Sequence, residues 1–130
     1  MDNPEIIWQP SIEGKKSSNL SQFIKLVNER YSQSIKTDYQ DIWDWSVNNV
    51  EKFWSLMWDF SEIKGSKGTK ISENIGLMPG ARFFPDAKLN YAENLLRAAD
   101  NTIAIEEFRE DGVSNALTRK QLESKALKMA

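Results

Sequence analysis

Between Trp43 and Phe60 the sequence carries Trp43, Trp45, Phe53, Trp54, Trp58 and Phe60. A packed aromatic side chain buries about 150–250 Å2, so this segment must lie in a core or against a second surface. Val47, Val50, Phe53, Trp54, Met57 and Trp58 recur at helical spacing, with Ser46 placed as the N-cap and an end near Phe60. The stripe is wide and aromatic, which predicts contact with two surfaces. Exposed rings could instead form a stacking platform for bases or sugars. The neighbouring Asp41, Asp44, Glu51, Asp59 and Glu62 would repel a phosphate backbone. The cluster therefore reads as packing.

The flanking elements follow from shorter patterns. Residues 1–16 read as irregular and exposed, except for Trp8 before Pro10. Leu20, Phe23, Ile24, Val27 and Tyr31 give an amphipathic helix over 18–31, which Ser17, Ser18 or Asn19 can cap. Asp38 can cap a short turn holding Tyr39, Ile42 and Trp43. KGSKGTK at 64–70 has no apolar residue and reads as a mobile loop. Residues 71–85, with Pro79, Gly80 and Pro85, read as an ordered irregular connection. Asp86 is placed to cap a helix with Leu89, Ala92, Leu95, Leu96 and Ala99 on one face. Its other face carries Asn90, Glu93, Asn94 and Arg97. Asn is a poor helix former. The stripe is either solvated or bound by its two Asn to the backbone of a neighbouring segment.

After residue 100 the period changes. TIAIEEF at 102–108 alternates as a strand, Glu110-Asp111-Gly112 is a turn, and Val113 to Leu117 returns as a second strand. Thr118 and Gln121 form a capping box, with Leu117 and Leu122 at staple spacing. Leu122, Ala126, Leu127 and Ala130 continue a helical stripe. The fold class is mainly α with a C-terminal β-hairpin, an α+β arrangement. A two-stranded hairpin is not independently stable, so the sequence is expected to be the front of a larger protein. The faces of Trp54, Trp58, Leu95, Leu96 and Leu127 would then await missing segments. The helices and hairpin should pack poorly on one another.

Composition removes several chemistries. The 130 residues contain no His and no Cys, which excludes Ser-His-Asp and Cys-His catalysis, thiolate metal sites and disulfides. Seventeen Lys and Arg against 19 Asp and Glu give a net charge of −2, which argues against a nucleic-acid partner. No apolar run approaches the ~18 residues of a bilayer span, and residues 1–16 lack a signal-peptide pattern. No membrane partner is expected, and the cytoplasm is the expected compartment. Asn19-Leu20-Ser21 matches a glycosylation acceptor but reads as a helix start. KGSKGTK fails the register of a phosphate loop. Asp38, Asp41 and Asp44, like Glu106, Glu107, Glu110 and Asp111, lack the order of a calcium loop and read as solvated charge. No catalytic, cofactor-binding or metal-binding residue is assigned.

Three stretches resemble one family: IWQPS at 7–11, WDWSVNNVEKFWSLMWDFSEIKGS at 43–66, and MPGARFFPDAKLNYAENLLR at 78–97. With EEF and LTRKQL further on, the chain resembles the N-terminal region of the acetoacetyl-CoA synthetases. These are AMP-forming acyl-CoA synthetases of the adenylate-forming superfamily. LNYAENLLR at Leu89 to Arg97 is the most specific stretch. Phe83 and Asp86 depart from the usual Trp and Gly.

The resemblance implies the N-terminal part of a larger α/β adenylate-forming enzyme. Residues 1–100 would be the helical N-terminal extension and 101–130 the start of the core domain. It implies a ligase of lipid metabolism that converts acetoacetate, ATP and CoA to acetoacetyl-CoA, AMP and pyrophosphate through an acyl-adenylate. ATP, Mg and CoA are thereby implied for the full-length enzyme, at sites beyond this region. The implied partner is the rest of the same enzyme, and the 130 residues alone would be inactive. An acetyl- or propionyl-type synthetase and a free-standing α-helical interaction module are the alternatives. The resemblance also makes Asn90, Glu93, Asn94 and Arg97 an interdomain contact.

Overall fold

A computed structural model describes residues 7–36, 38–97, 99–112 and 114–129. Val113 and Ala130, each given a place in the sequence reading, lie outside the described residues, as does Thr37. So do residues 1–6. The chain is helix-rich with small antiparallel sheets. It divides into two units. One holds the described residues up to Glu62 together with Ile71–Phe83; the other holds Ile63–Lys70 and the residues from Phe84 on.

The first unit contains the core. Helix α1 (Ile12–Ser17) starts at Ser11, whose Oγ accepts the Gly14 N–H at 3.0 Å. The irregular reading of residues 1–16 is thus corrected for 12–16. Helix α2 (Asn19–Tyr31) is capped by Ser18 and buries Phe23, Ile24 and Val27 on one stripe. It ends at Ser32, which is left-handed with φ 52°. Beyond that end, the Asn28 amide pairs with both the N–H and the C=O of Ile35, each at 2.9 Å.

Asp38 caps α3 (Tyr39–Asn48), a full helix rather than a short turn, which buries Ile42 and Trp45. Ser46 is not an N-cap: it lies inside α3 and its Oγ donates to the Trp43 carbonyl at 2.7 Å. The break falls at Asn49, and α4 (Val50–Phe60) follows. The inward face of α4 is Leu56 with the half-buried Phe53, Met57 and Phe60, which is i, i+3, i+4, i+7 spacing. Val47 and Trp54, read as inward, are exposed.

Phe23 meets Phe53 and Phe60 edge-on at 5.6 and 5.3 Å, a favoured aromatic geometry. Arg30 and Asp59 join α2 to α4 at 3.1 Å. Poor mutual packing is therefore not what α2, α3 and α4 show. They share the six buried side chains Phe23, Ile24, Val27, Ile42, Trp45 and Leu56.

Ile71–Phe83 supply a short sheet to the same unit. Strand β2 (Ser72–Glu73) pairs antiparallel with β3 (Arg82–Phe83). Strand β1 (Gly65–Ser66) belongs to the second unit and is described there with its partner. Ser72 is buried and donates to Glu51 at 2.6 Å. Phe83 lies 5.3 Å from Trp54, so the exposed Trp of α4 has a partner on β3.

In the second unit β1 pairs antiparallel with β4 (Lys88–Leu89). The expectation of a mobile loop at 64–70 is corrected for this pair. The helix expected from Asp86 is also shorter: α5 is Tyr91–Leu95, capped by Asn90 rather than Asp86. Leu89 is in a strand and Ala99 lies beyond the helix. Strands β5 (Ile103–Phe108) and β6 (Ser114–Thr118) form the expected hairpin, followed by α6 (Arg119–Leu127) with the complete Thr118–Gln121 capping box. None of the described hydrophobic residues of this unit is fully buried. Among the described residues, no helix is long and apolar enough to cross a membrane.

Candidate functional site

The polar stripe after β4 is built on Asn94. Its Oδ1 accepts the Lys64 N–H at 2.8 Å, and its Nδ2 donates to the Lys64 carbonyl at 2.9 Å. Nδ2 also donates to the Asn90 carbonyl at 2.9 Å, so both of its N–H bonds are used. Lys64 directly precedes β1, and the amide adds a side-chain rung to a ladder of two residues. Asn90 Oδ1 accepts the Glu93 N–H at 3.1 Å and starts α5. Glu93 stands 3.9 Å from Lys64 Nζ, both well exposed, so the pair adds little.

Of the two readings of the stripe, binding to the backbone of a neighbouring segment holds for Asn94, within its own unit; Asn90 instead caps its own helix. Glu93 and Arg97 line an adjoining groove of about 420 Å3, which Leu96, Glu123, Ala126 and Leu127 continue. Lys64 itself was missed in the sequence because a backbone partner leaves no pattern. The recurring device of Asn28 with Ile35 is equally silent in sequence.

The glycines of KGSKGTK serve backbone approach. A Cβ on Gly65, at φ +154°, would stand 2.6 Å from the Lys88 carbonyl oxygen. One on Gly68, at φ +77°, would stand 2.8 Å from Asp86 Cβ. The space a phosphate would need is filled by β4 and by a residue bearing a carboxylate. These residues do not fit a nucleotide triphosphate. Among the described residues no group of three or more His, Cys, Asp or Glu could hold a metal ion.

The carboxylate series have structural uses. Asp38 caps α3, and Asp44 accepts from Gln40 at 3.1 Å. Glu107 pairs with Asn115 across the hairpin at 3.1 Å, and Asp111 pairs with Arg109 at 2.9 Å. Asp100, unassigned by sequence, organises the hairpin entry. Its carboxylate accepts the Thr102 side-chain O–H and then the Thr102 N–H, with Arg119 adding favourable charge. These hold its pKa below the ordinary carboxylate value. The Lys120 N–H donates to the Asp100 carbonyl and the Arg119 N–H to that of Thr102, so strand and helix begin on one turn. An Asp two residues before Thr is the turn signal that could have found it.

A second groove, of about 400 Å3, lies among α2, α3 and α4. It is lined by Asn19, Leu20, Phe23, Tyr39, Ile42, Trp43, Ser46, Phe53, Met57 and Phe60. Part of the Trp43–Phe60 aromatic cluster thus forms core and part forms a wall.

Residues 39–95 match the family described as acetyl-coenzyme A synthetase N-terminus. An acetoacetyl-coenzyme A synthetase of Rhizobium meliloti is 38% identical over 116 residues, 89% of this chain and 18% of the relative. A malonamoyl-CoA synthetase of Penicillium aethiopicum is 32% identical, over 91% of this chain and 17% of its own length. An acetoacetyl-CoA synthetase of Xenopus tropicalis is 34% identical, over 82% and 16%. The chain thus spans less than a fifth of the curated relatives it matches. No solved structure matches it. Residues 39–95 thus carry the match to that N-terminus, and over most of its length the chain is similar to acetoacetyl-CoA synthetases.

Proposed function

We propose that this chain is the N-terminal region of an acid–thiol ligase, and that its own role is structural. The whole enzyme would join acetoacetate to CoA, with ATP cleaved to AMP and pyrophosphate through an acyl-adenylate. The observation that carries this reading is the 38% identity to an acetoacetyl-coenzyme A synthetase across 89% of the chain. The described residues offer hydrogen-bonded turns, an aromatic core and two grooves, and these support a scaffold rather than a reacting centre. The nucleotide, Mg and CoA would be held by segments beyond this region. The reaction belongs in the cytoplasm, and the rest of the same polypeptide is the partner.

A second substrate is favoured by a specific observation. One relative is named for malonamoyl-CoA, the others cited for acetoacetyl-CoA. Both acyl groups carry a carbonyl at the third carbon. The substrate class is therefore a short acid with a carbonyl at that position, acetoacetate first. The test is CoA-ester formation by the full reading frame with acetoacetate, malonamate, acetate and propionate. Preference for the first two supports the reading. Preference for acetate or propionate moves the enzyme to the acetyl or propionyl type. A frame that stops after Ala130 and lacks a downstream Ser/Thr/Gly-rich loop ending in Lys would contradict it.

A further inference from the structure

The turn between β5 and β6 holds Asp111-Gly112, the one Asp-Gly step in the 130 residues, which contain no Asn-Gly. Both residues are exposed. Gly112 takes φ +79°, and a Cβ built on it would meet no atom within 4 Å. A glycine lets the backbone approach its neighbours closely, so the Gly112 nitrogen can come within bonding reach of the Asp111 side-chain carboxyl. We propose that Asp111 is a modification site, at which aspartate isomerises spontaneously to isoaspartate, and that the change loosens the hairpin at its turn. This does not rest on the ligase reading.

The step needs no partner. The Gly112 backbone nitrogen bonds to Asp111 Cγ, the N–H proton and the carboxyl hydroxyl leave as water, and a succinimide ring closes. Water then adds back. Opening at Cγ restores aspartate; opening at the main-chain carbonyl leaves the chain joined through Cγ, with the carboxylate on Cα. Water lost equals water gained, and nothing is oxidised or reduced. Two contacts hold the turn against this, and both use Arg109. The Gly112 N–H donates to the Arg109 carbonyl at 3.0 Å, and the Asp111 carboxylate pairs with the Arg109 guanidinium at 2.9 Å. Both side chains of the pair are about half exposed, and such pairs contribute little. An exposed turn opens far more often than a whole fold, and each opening lets the nitrogen turn toward the carboxyl. Isoaspartate lengthens the main chain of the turn by one atom, and hairpin register is set by the turn. Phe108 with Ser114 and Glu107 with Asn115 are the pairs nearest to it, and the Asn115 amide also donates to Glu107 at 3.1 Å. These pairs loosen, while Ile103 with Thr118, at the far end beside the Asp100 turn, stays closed.

The test ages the polypeptide from the full reading frame at neutral pH. Isoaspartate is labelled by a protein-isoaspartate methyltransferase with radioactive S-adenosylmethionine and located by peptide mapping. Label should accumulate in the peptide carrying Asp111 ahead of every other peptide from residues 1–130. This readout uses the unaltered chain, so it stands whether or not a variant keeps its turn. Asp111→Ser should abolish the label there, Gly112→Ala should slow it, and Arg109→Ala should quicken it. Hydrogen exchange in the aged protein should quicken at Ser114 and Asn115 and stay as it was at Thr118. Label at Asp111 no higher than at the other aspartates, or indifferent to the residue at 112, would overturn the site. Arg109→Ala leaving the rate unchanged would overturn the restraint. Label at Asp111 with unaltered exchange at Ser114 and Asn115 would overturn the loosening.

Discussion

The side-chain amide of Asn94 pairs with both backbone groups of Lys64, accepting at 2.8 Å and donating at 2.9 Å. One side chain thereby fastens the start of β1 to the element that follows β4. A ladder of two residues has little stability of its own. Asn94→Ala should cost about 1 kcal/mol, the net worth of hydrogen bonds exposed to water. Amide exchange at Lys64 and Ser66 should quicken, while exchange in α2 stays as it was. Asn94→Asp keeps the acceptor and loses the donor, and should fall between. Unchanged exchange at Lys64 in Asn94→Ala would contradict the pairing.

Gly65 separates a paired strand from a free loop. A Cβ there would meet the Lys88 carbonyl oxygen at 2.6 Å, and neither backbone can yield cheaply. Gly65→Ala should destabilise the second unit by more than about 1 kcal/mol, read as lost protection at Lys88 and Leu89. Gly112→Ala meets no atom within 4 Å, although it is strained by its φ of +79°. It should leave β1 and β4 untouched.

Much of the local order was legible in the sequence. Ser18, Asp38 and the Thr118–Gln121 box cap the helices where short polar side chains precede apolar stripes. The hairpin sits where period 2 meets Glu110-Asp111-Gly112. The failures have separate sources. Ser46 lost its capping role because Asp38 had already started α3. Asp86 lost its role because Lys88 and Leu89 pair with a segment more than twenty residues earlier. Strand pairing at that separation has no local pattern. Of the polar stripe, the sequence supplied both Asn residues but not Lys64, since any residue offers a backbone N–H and C=O.

Packing should divide the chain energetically. Leu56 is 3% exposed and sits in the shared core of α2, α3 and α4. Leu56→Ala should cost about 2–5 kcal/mol. Leu127 and Phe108 are 71% and 79% exposed, and their replacement by Ala should change thermal stability of this chain by less than about 0.5 kcal/mol. Calorimetry of the three variants checks the contrast. The second unit should lose amide protection well before the first, and its exposed strand edges should promote association on heating. One sharp transition covering both units in a stable monomer would favour the free-standing module.

Asp100 predicts a pH dependence with a defined sign. Its folded pKa is held below the ordinary value, first by the Thr102 side-chain O–H and next by the Thr102 N–H. Its stabilising contribution is complete above the unfolded pKa, about 4, and is lost as pH falls through the lower folded value. Protection of the Thr102, Arg119 and Lys120 amides should weaken over that acid range. Asp100→Asn should remove the dependence. A loss of protection at rising pH instead would contradict the assignment.

The central claim is that this region scaffolds a ligase whose chemistry lies in other segments. Carboxylate-dependent exchange between ATP and labelled pyrophosphate tests it most directly, run on the pure 130-residue chain and on the polypeptide from the full reading frame. The account predicts acetoacetate-dependent exchange by the full polypeptide and none by the 130 residues. Exchange by the 130 residues alone, or its absence from the full polypeptide with every acid carrying a carbonyl at the third carbon, would contradict it.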